Sequence, residues 1–109
     1  MIKVEITKGV NNIKQIIVDG HANFAEEGSD IVCAGVSAII FGLINSIDEL
    51  DDEVVFDISV SEDETGHLTY RSLKSTMTEQ LLLQAMLVSL KTIEANYADY
   101  ITIETREVN

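Results

Sequence analysis

Residues 20–47 read GHANFAEEGSDIVCAGVSAIIFGLINSI, and the hydrophobic pattern changes in the middle of this stretch. Residues 22–29 are small, acidic and glycine-containing, which is typical of a loop. Residues 31–47 carry no charge and are apolar around nearly the whole circumference of a helix. A helix of this kind is covered on most sides by the rest of the protein. We therefore predict a central helix over residues 31–49, with Asp30 or Ser29 as its N-cap.

Segments with alternating apolar and polar residues flank this helix on both sides. They predict strands at residues 2–7, 13–20, 54–60, 67–72 and 100–106. Thr76-x-x-Glu79 is a capping box that opens a second helix over 77–95. The order β-β-α-β-β-α-β predicts an α+β fold with one domain over residues 1–109. In this two-layer sandwich, two helices pack on one face of a five-stranded, mostly antiparallel sheet.

Two patterns predict which faces are buried. Val54, Phe56, Ile58 and Val60 alternate along the third strand and are expected to point inward. Small residues recur along the central helix at Ala34, Ala38 and Gly42, a spacing that lets another backbone approach closely. The sheet or the second helix is the favoured neighbour of this small-residue face, and a dimer partner is the less favoured one.

The only cysteine and one of the two histidines lie in the quoted stretch. A thiol is a nucleophile only as thiolate, which a helix N-terminus or a nearby imidazole favours. Counted from Asp30, Cys33 falls in the first helical turn, and His21 ends the preceding strand. A lone cysteine is more often a small buried hydrophobe, so these residues alone leave both roles open. His67 follows a turn in an outward-facing position and is predicted to be exposed and uninvolved.

The pattern Gly20-His21-Ala22 … Gly28-x-Asp30-Ile31-Val32-Cys33-Ala34 resembles the signature of the ribosomal-processing cysteine protease family. The resemblance implies a catalytic dyad of His21 and Cys33, with Gly20, Asp30 and Ser37 in supporting positions. Asp30 either caps the helix or also orients His21, and Ser37 is either a hydrogen-bonding or a packing residue. The family more often has alanine at the position of Gly35. The resemblance also implies a homodimer.

The reaction that follows from such a dyad is acyl transfer to the thiol. His21 takes the proton of Cys33, the thiolate attacks a peptide carbonyl, and a thioester forms that water then hydrolyses. The resemblance implies that the substrate is the N-terminal extension of a large-subunit ribosomal protein, cut after an aromatic pair. Residues 22–29 are expected to act as a lid with Gly20 and Gly28 as hinges and Phe24 closing over the substrate.

Composition restricts partners and location. Nineteen acidic and seven basic residues give a net charge of −12, which disfavours direct nucleic-acid binding and suits a basic partner or simply maintains solubility. One cysteine allows no internal disulfide, residues 1–6 alternate like a strand rather than a signal peptide, and residues 31–47 are short for a membrane span. We therefore expect a cytoplasmic protein without cofactor, metal or membrane association.

Two other functions remain open from the sequence. One is a non-catalytic acidic module that binds a basic ribosomal protein. The other is a thiol redox sensor built on Cys33, although the chain provides no resolving cysteine.

Overall fold

The structure is a computed structural model, and it describes residues 1–20, 29–61 and 66–108, with only the backbone at positions 29 and 30. Its elements follow the predicted order, with boundaries that differ by one to two residues. They are β1 (Ile2–Lys8), β2 (Ile13–Asp19), α1 (Ser29–Leu50), β3 (Val55–Ser61), β4 (His67–Lys74), α2 (Met77–Asn96) and β5 (Ile101–Glu107).

The five strands form one sheet in the order β3-β4-β2-β1-β5. Neighbouring strands are antiparallel except β1 and β5, which pair in parallel from Ile2↔Ile101 to Lys8↔Glu107. A parallel neighbour requires a long crossover, and the chain provides one because β5 is far from β1 in sequence and follows α2. The predicted α+β sandwich is confirmed.

The core lies between the helices and one face of the sheet. Strand β1 buries Ile2, Val4 and Ile6, and their alternation matches the prediction of a half-buried strand. The helices contribute stripes with helical spacing, which are Val32, Val36, Ile40, Ile44 and Ile47 from α1, and Leu83, Met86 and Leu90 from α2. By length and composition Ile31–Leu50 resembles a membrane span, with a mean hydropathy of 1.9, but its buried stripe belongs to this core.

The first turn of α1 differs from the prediction. The helix begins at Ser29, so Asp30 is an acidic residue inside the first turn rather than the N-cap. Serine and aspartate are good caps, yet both are also accepted in a first turn, where a negative charge suits the helix dipole. Counted from Ser29, Cys33 is the fifth helical residue and belongs to the second turn.

One predicted buried face is exposed, and a second is only partly covered. Ala34, Ala38 and Gly42 face outward, and a Cβ added to Gly42 would meet nothing within 4 Å. The prediction that the sheet or α2 covers this small-residue face is therefore wrong. At the sheet edge Val54 and Phe56 pack against the core as predicted, whereas Ile58 and Val60 are 38% and 49% exposed.

The start of α2 confirms half of the capping box. The amide of Glu79 donates to the Thr76 hydroxyl at 3.0 Å. The carboxylate of Glu79, however, is fully buried and accepts from the Tyr70 hydroxyl at 2.6 Å and the Ser72 hydroxyl at 2.8 Å. This side chain therefore ties α2 to β4.

Candidate active site

An open groove of about 170 Å³ lies where α1 meets the end of the sheet. Residues of α1 line it together with Ile2 of β1 and with residues from the ends of β2, β3 and β4. Three of the predicted site residues, Gly20, Cys33 and Ser37, border this groove. Segments far apart in sequence thus meet at the only cysteine of the chain.

Cys33 is half-buried, and it packs on the edge of the hydrophobic core. Ser37 lies one helical turn further along α1 and is exposed on the same groove. The prediction that Cys33 lies near a helix start holds, although one turn later than expected. A half-buried thiol on an open groove is accessible to a substrate, which a purely structural core cysteine is not.

Gly20 is fixed in place at the mouth of the groove. Its φ of +88° lies in the left-handed region, and a Cβ would stand 2.5 Å from the carbonyl oxygen of Met1. Its amide donates to the carbonyl of Gly66 at 3.0 Å. The strand end that leads into His21 therefore has a conformation that only glycine supports.

The sequence predicts His67 to be exposed and uninvolved, and its side chain is indeed 40% exposed. The end of β4 on which it lies borders the groove. The His67 Nδ1 donates to Oδ1 of Asp19, and its Nε2 is 3.0 Å from the Thr69 hydroxyl. One sequence signal was missed, since both histidines of the chain directly follow a glycine, at Gly20 and Gly66.

Apolar side chains are exposed along the groove. Phe41 of α1 is 41% exposed and Val60 of β3 is 49% exposed, and both border the groove with Leu68. An exposed apolar surface beside a nucleophile is typical of a ligand-binding site. Sequence periodicity predicted that Val60 lies in the core. Periodicity shows which residues share a face of a strand, but it does not show what covers that face.

The other predicted site residues lie outside the described part of the chain. His21, Phe24 and Gly28 fall in the segment 21–28, and the side chain of Asp30 is likewise not described. The dyad, an orienting role of Asp30 toward His21 and the lid therefore stay predictions. Within residues 1–20, 29–61 and 66–108, no group of three or more His, Cys, Asp or Glu side chains is arranged to hold a metal ion.

A thiol beside an open apolar groove, on the second turn of a helix, defines a candidate cysteine-dependent enzyme. The family model for "Cysteine protease Prp" matches residues 1–102. The chain therefore belongs to the family of the cysteine protease Prp.

Relatives in this family are similar over most of their length. The ribosomal processing cysteine protease Prp of Staphylococcus aureus is 46% identical over 105 residues, covering 94% of this chain and 97% of that protein. The Prp of Bacillus subtilis is 41% identical over 92 residues, covering 79% and 80%.

Solved structures agree with the fold. The crystal structure of S. aureus Prp with a covalently linked product peptide has a TM-score of 0.87 at 42% identity, covering 97% of this chain and all of that one. A second structure of that protease, in complex with a substrate peptide, has a TM-score of 0.83 at 41% identity and 97% coverage of this chain.

Proposed function

We propose that this protein is a ribosomal processing protease that removes a short N-terminal extension from a basic protein of the large ribosomal subunit. Cys33 is the nucleophile, and His21 is the general base and acid. The observation that carries the proposal is the half-buried Cys33 thiol on an apolar groove beside Gly20, the residue before His21. Family membership and the processing activity named for the relatives support it.

The proposed reaction has two halves. His21 accepts the thiol proton, the sulfur forms a bond to the scissile carbonyl carbon, and the peptide C–N bond breaks as His21 protonates the leaving amine. Water then attacks the thioester with His21 as base, which releases the carboxylic acid and restores the thiol. Amides at the start of α1 have no partner within the helix and are suited to stabilise the oxyanion.

The groove is suited to an aromatic side chain before the scissile bond. A cavity of about 150 Å³ lined by Leu, Ile and Phe is known to bind benzene, and this groove has a similar volume, about 170 Å³, and exposed apolar residues. We assign one ring of the implied aromatic pair to the surface formed by Phe41 and Val60. A lysine-rich segment after the pair, as expected of a basic ribosomal protein, suits a chain of net charge −12.

A peptide assay tests this function. A synthetic peptide with an aromatic pair before a lysine-rich segment is incubated with the purified protein, and the products are identified by mass spectrometry. Cleavage after the pair by the wild type, abolished in Cys33→Ala and His21→Ala, supports the proposal. Binding without cleavage supports the acidic module instead, and neither binding nor cleavage leaves the redox sensor.

The groove assignment has a matched control on the same strand. Val60 and Val55 are almost equally exposed, at 49% and 47%, but only Val60 borders the groove. Val60→Thr keeps the shape and adds a hydroxyl, so we expect KM to rise by about tenfold, the cost of one poorly placed polar group. Val55→Thr is expected to leave KM unchanged. Equal effects of both substitutions would contradict the groove assignment.

We also propose that two copies associate through the small-residue face of α1, Ala34, Ala38 and Gly42. The exposure of these residues and of Ile31 supports this, because monomers seldom expose large apolar surfaces. Analytical ultracentrifugation of Ala38→Glu tests it, with Ala85→Glu on the exposed side of α2 as control. We expect monomers only for Ala38→Glu, and a wild-type monomer would end the proposal.

We propose a cytoplasmic location, which a ribosomal substrate supports. The single cysteine supports this, because a catalytic thiol must stay reduced and the cytoplasm keeps thiols reduced. Cell fractionation with an antibody to the protein tests the location.

A further inference from the structure

At the end of the antiparallel pairing of β2 with β4, a carboxylate lies opposite an imidazole. Asp19 and His67 are register partners, and the His67 Nδ1 donates to the Asp19 carboxylate. The other ring nitrogen is 3.0 Å from the Thr69 hydroxyl, so both nitrogens of the ring are engaged. An imidazole held at both nitrogens has a fixed orientation.

A second connection joins the two strands one residue beyond the Asp19–His67 pair. Gly20 follows Asp19 and Gly66 precedes His67, and the Gly20 amide donates to the Gly66 carbonyl. Both glycines have positive φ, +88° and +61°. Two consecutive cross-strand contacts therefore fix the direction in which the chain leaves the sheet, one peptide before His21.

The stability that the Asp19–His67 contact adds is not enough to explain its place. The two side chains are 40% and 48% exposed, and polar or charged contacts at such exposure contribute little to folding. Moreover Leu68 and Tyr70 are buried beneath the helices, so alternation places the His67 ring on the open face of the sheet. The ring is thus on the other side of the sheet from α1, and any effect on catalysis acts through the backbone.

We infer that His67 is a positioning residue of this protease, which with Asp19 fixes the end of β2 and thereby the approach of His21 to Cys33. This inference rests on the proposed dyad. Misplacement of a reacting group by about 1 Å can cost about a hundredfold in rate. Loosening one of two connections is expected to cost less.

The same two strands carry a matched control. Gln15 and Arg71 are also register partners of β2 and β4, and Arg71 Nε donates to Gln15 Oε1 at 3.4 Å. This pair lies four residues earlier in β2 and four residues later in β4, about 13 Å from the Asp19–His67 pair. It connects the same strands without bordering the groove.

The test compares His67→Ala with Arg71→Ala. We expect His67→Ala to lower kcat by about tenfold while KM changes less than about twofold, because the substrate groove is unchanged. Arg71→Ala is expected to keep the wild-type kcat, with a similar shift in thermal unfolding. His67→Asn places an amide donor at the position of Nδ1, which faces Asp19, and should recover most of the activity. Wild-type kcat in His67→Ala, or an equal loss in Arg71→Ala, would overturn the inference.

A second measurement needs no substrate. The rate at which iodoacetamide alkylates Cys33 at pH 7 reports the thiolate that a well-placed His21 favours. We expect this rate to fall in His67→Ala and in Asp19→Asn. Because Asn has the shape of Asp, a lower rate in Asp19→Asn cannot be assigned to a folding defect. The double variant should be no slower than either single one if the two residues act as a pair. If the wild type cleaves no peptide but these rates fall, the proposed function fails and the positioning role stands.

Discussion

Gly20→Ala perturbs the strand end beside the proposed base by adding a single methyl group. The new Cβ would stand 2.5 Å from the carbonyl oxygen of Met1, which is a backbone atom that cannot swing aside. The φ of +88° would also be imposed on a residue with a side chain. The backbone around Gly20 must therefore shift, and its hydrogen bond to Gly66 is expected to break.

The magnitude follows from these three costs. A left-handed conformation costs a non-glycine residue about 1–2 kcal/mol. A lost backbone hydrogen bond costs about 1 kcal/mol, and relieving a clash costs about 1–3 kcal/mol. Because one backbone shift relieves both strain and clash, the costs overlap, and we expect Gly20→Ala to lower the free energy of unfolding by about 2–4 kcal/mol. At about 4 °C per kcal/mol, Tm falls by about 8–16 °C.

Gly35→Ala is the matched control, with the same chemical change at a permissive position. A Cβ at Gly35 meets Cδ1 of Ile93 at 3.5 Å, an ordinary contact, in the interior of α1. Alanine is favoured there by about 0.5–1 kcal/mol, so Gly35→Ala is expected to raise Tm by a few degrees. Thermal and urea unfolding measure both variants. If Gly20→Ala is as stable as the wild type, the steric reasoning about this strand end is wrong.

Three further predictions concern stability and substrate capture. Tyr70→Phe removes a donor from the buried Glu79 carboxylate and should cost about 2 kcal/mol in urea unfolding, whereas a change below about 0.5 kcal/mol would contradict it. Hydrogen bonds from the Thr76 hydroxyl and the Glu53 amide hold the pKa of Asp51 below its usual 3.8. The stabilisation that Asp51 provides is therefore present above about pH 4 and lost as the pH falls further, so the stability gap between wild type and Asp51→Asn should be larger at pH 6 than at pH 2. Added salt should lower kcat/KM for a lysine-rich peptide, because the Debye length falls from about 8 Å at physiological ionic strength to about 3 Å at 1 M. If kcat/KM does not change with salt concentration, the net charge of −12 serves solubility alone.

Local pattern was enough to predict the elements. Alternation in β1 and the uncharged run of α1 depend on neighbours within a few residues, and so does the Thr76 cap of α2. The motif around Cys33 likewise indicated the family, because residue types and spacing are properties of the sequence itself.

Burial was predicted less well, because periodicity shows which residues share a face but not what covers that face. Along β3, Phe56 packs against the core but Val60 is exposed beside the groove, although both belong to the same predicted face. The small-residue face of α1 is likewise exposed, although it was predicted to be covered by the sheet or α2. Glu79 shows the converse, since a capping-box residue became a buried link to Tyr70 once β4 packed beneath α2.

The sequence by itself determined the order of elements, the cap of α2 and the position of Cys33 near a helix start, since each follows from short-range chemistry. Only the tertiary structure decided that Gly20 bonds to Gly66 and that Asp19 pairs with His67, because 48 residues separate that pair along the chain. The sheet order β3-β4-β2-β1-β5 brings those strand ends together at the groove that Cys33 borders. Strand pairing over such distances depends on packing of the whole core, which no local pattern encodes.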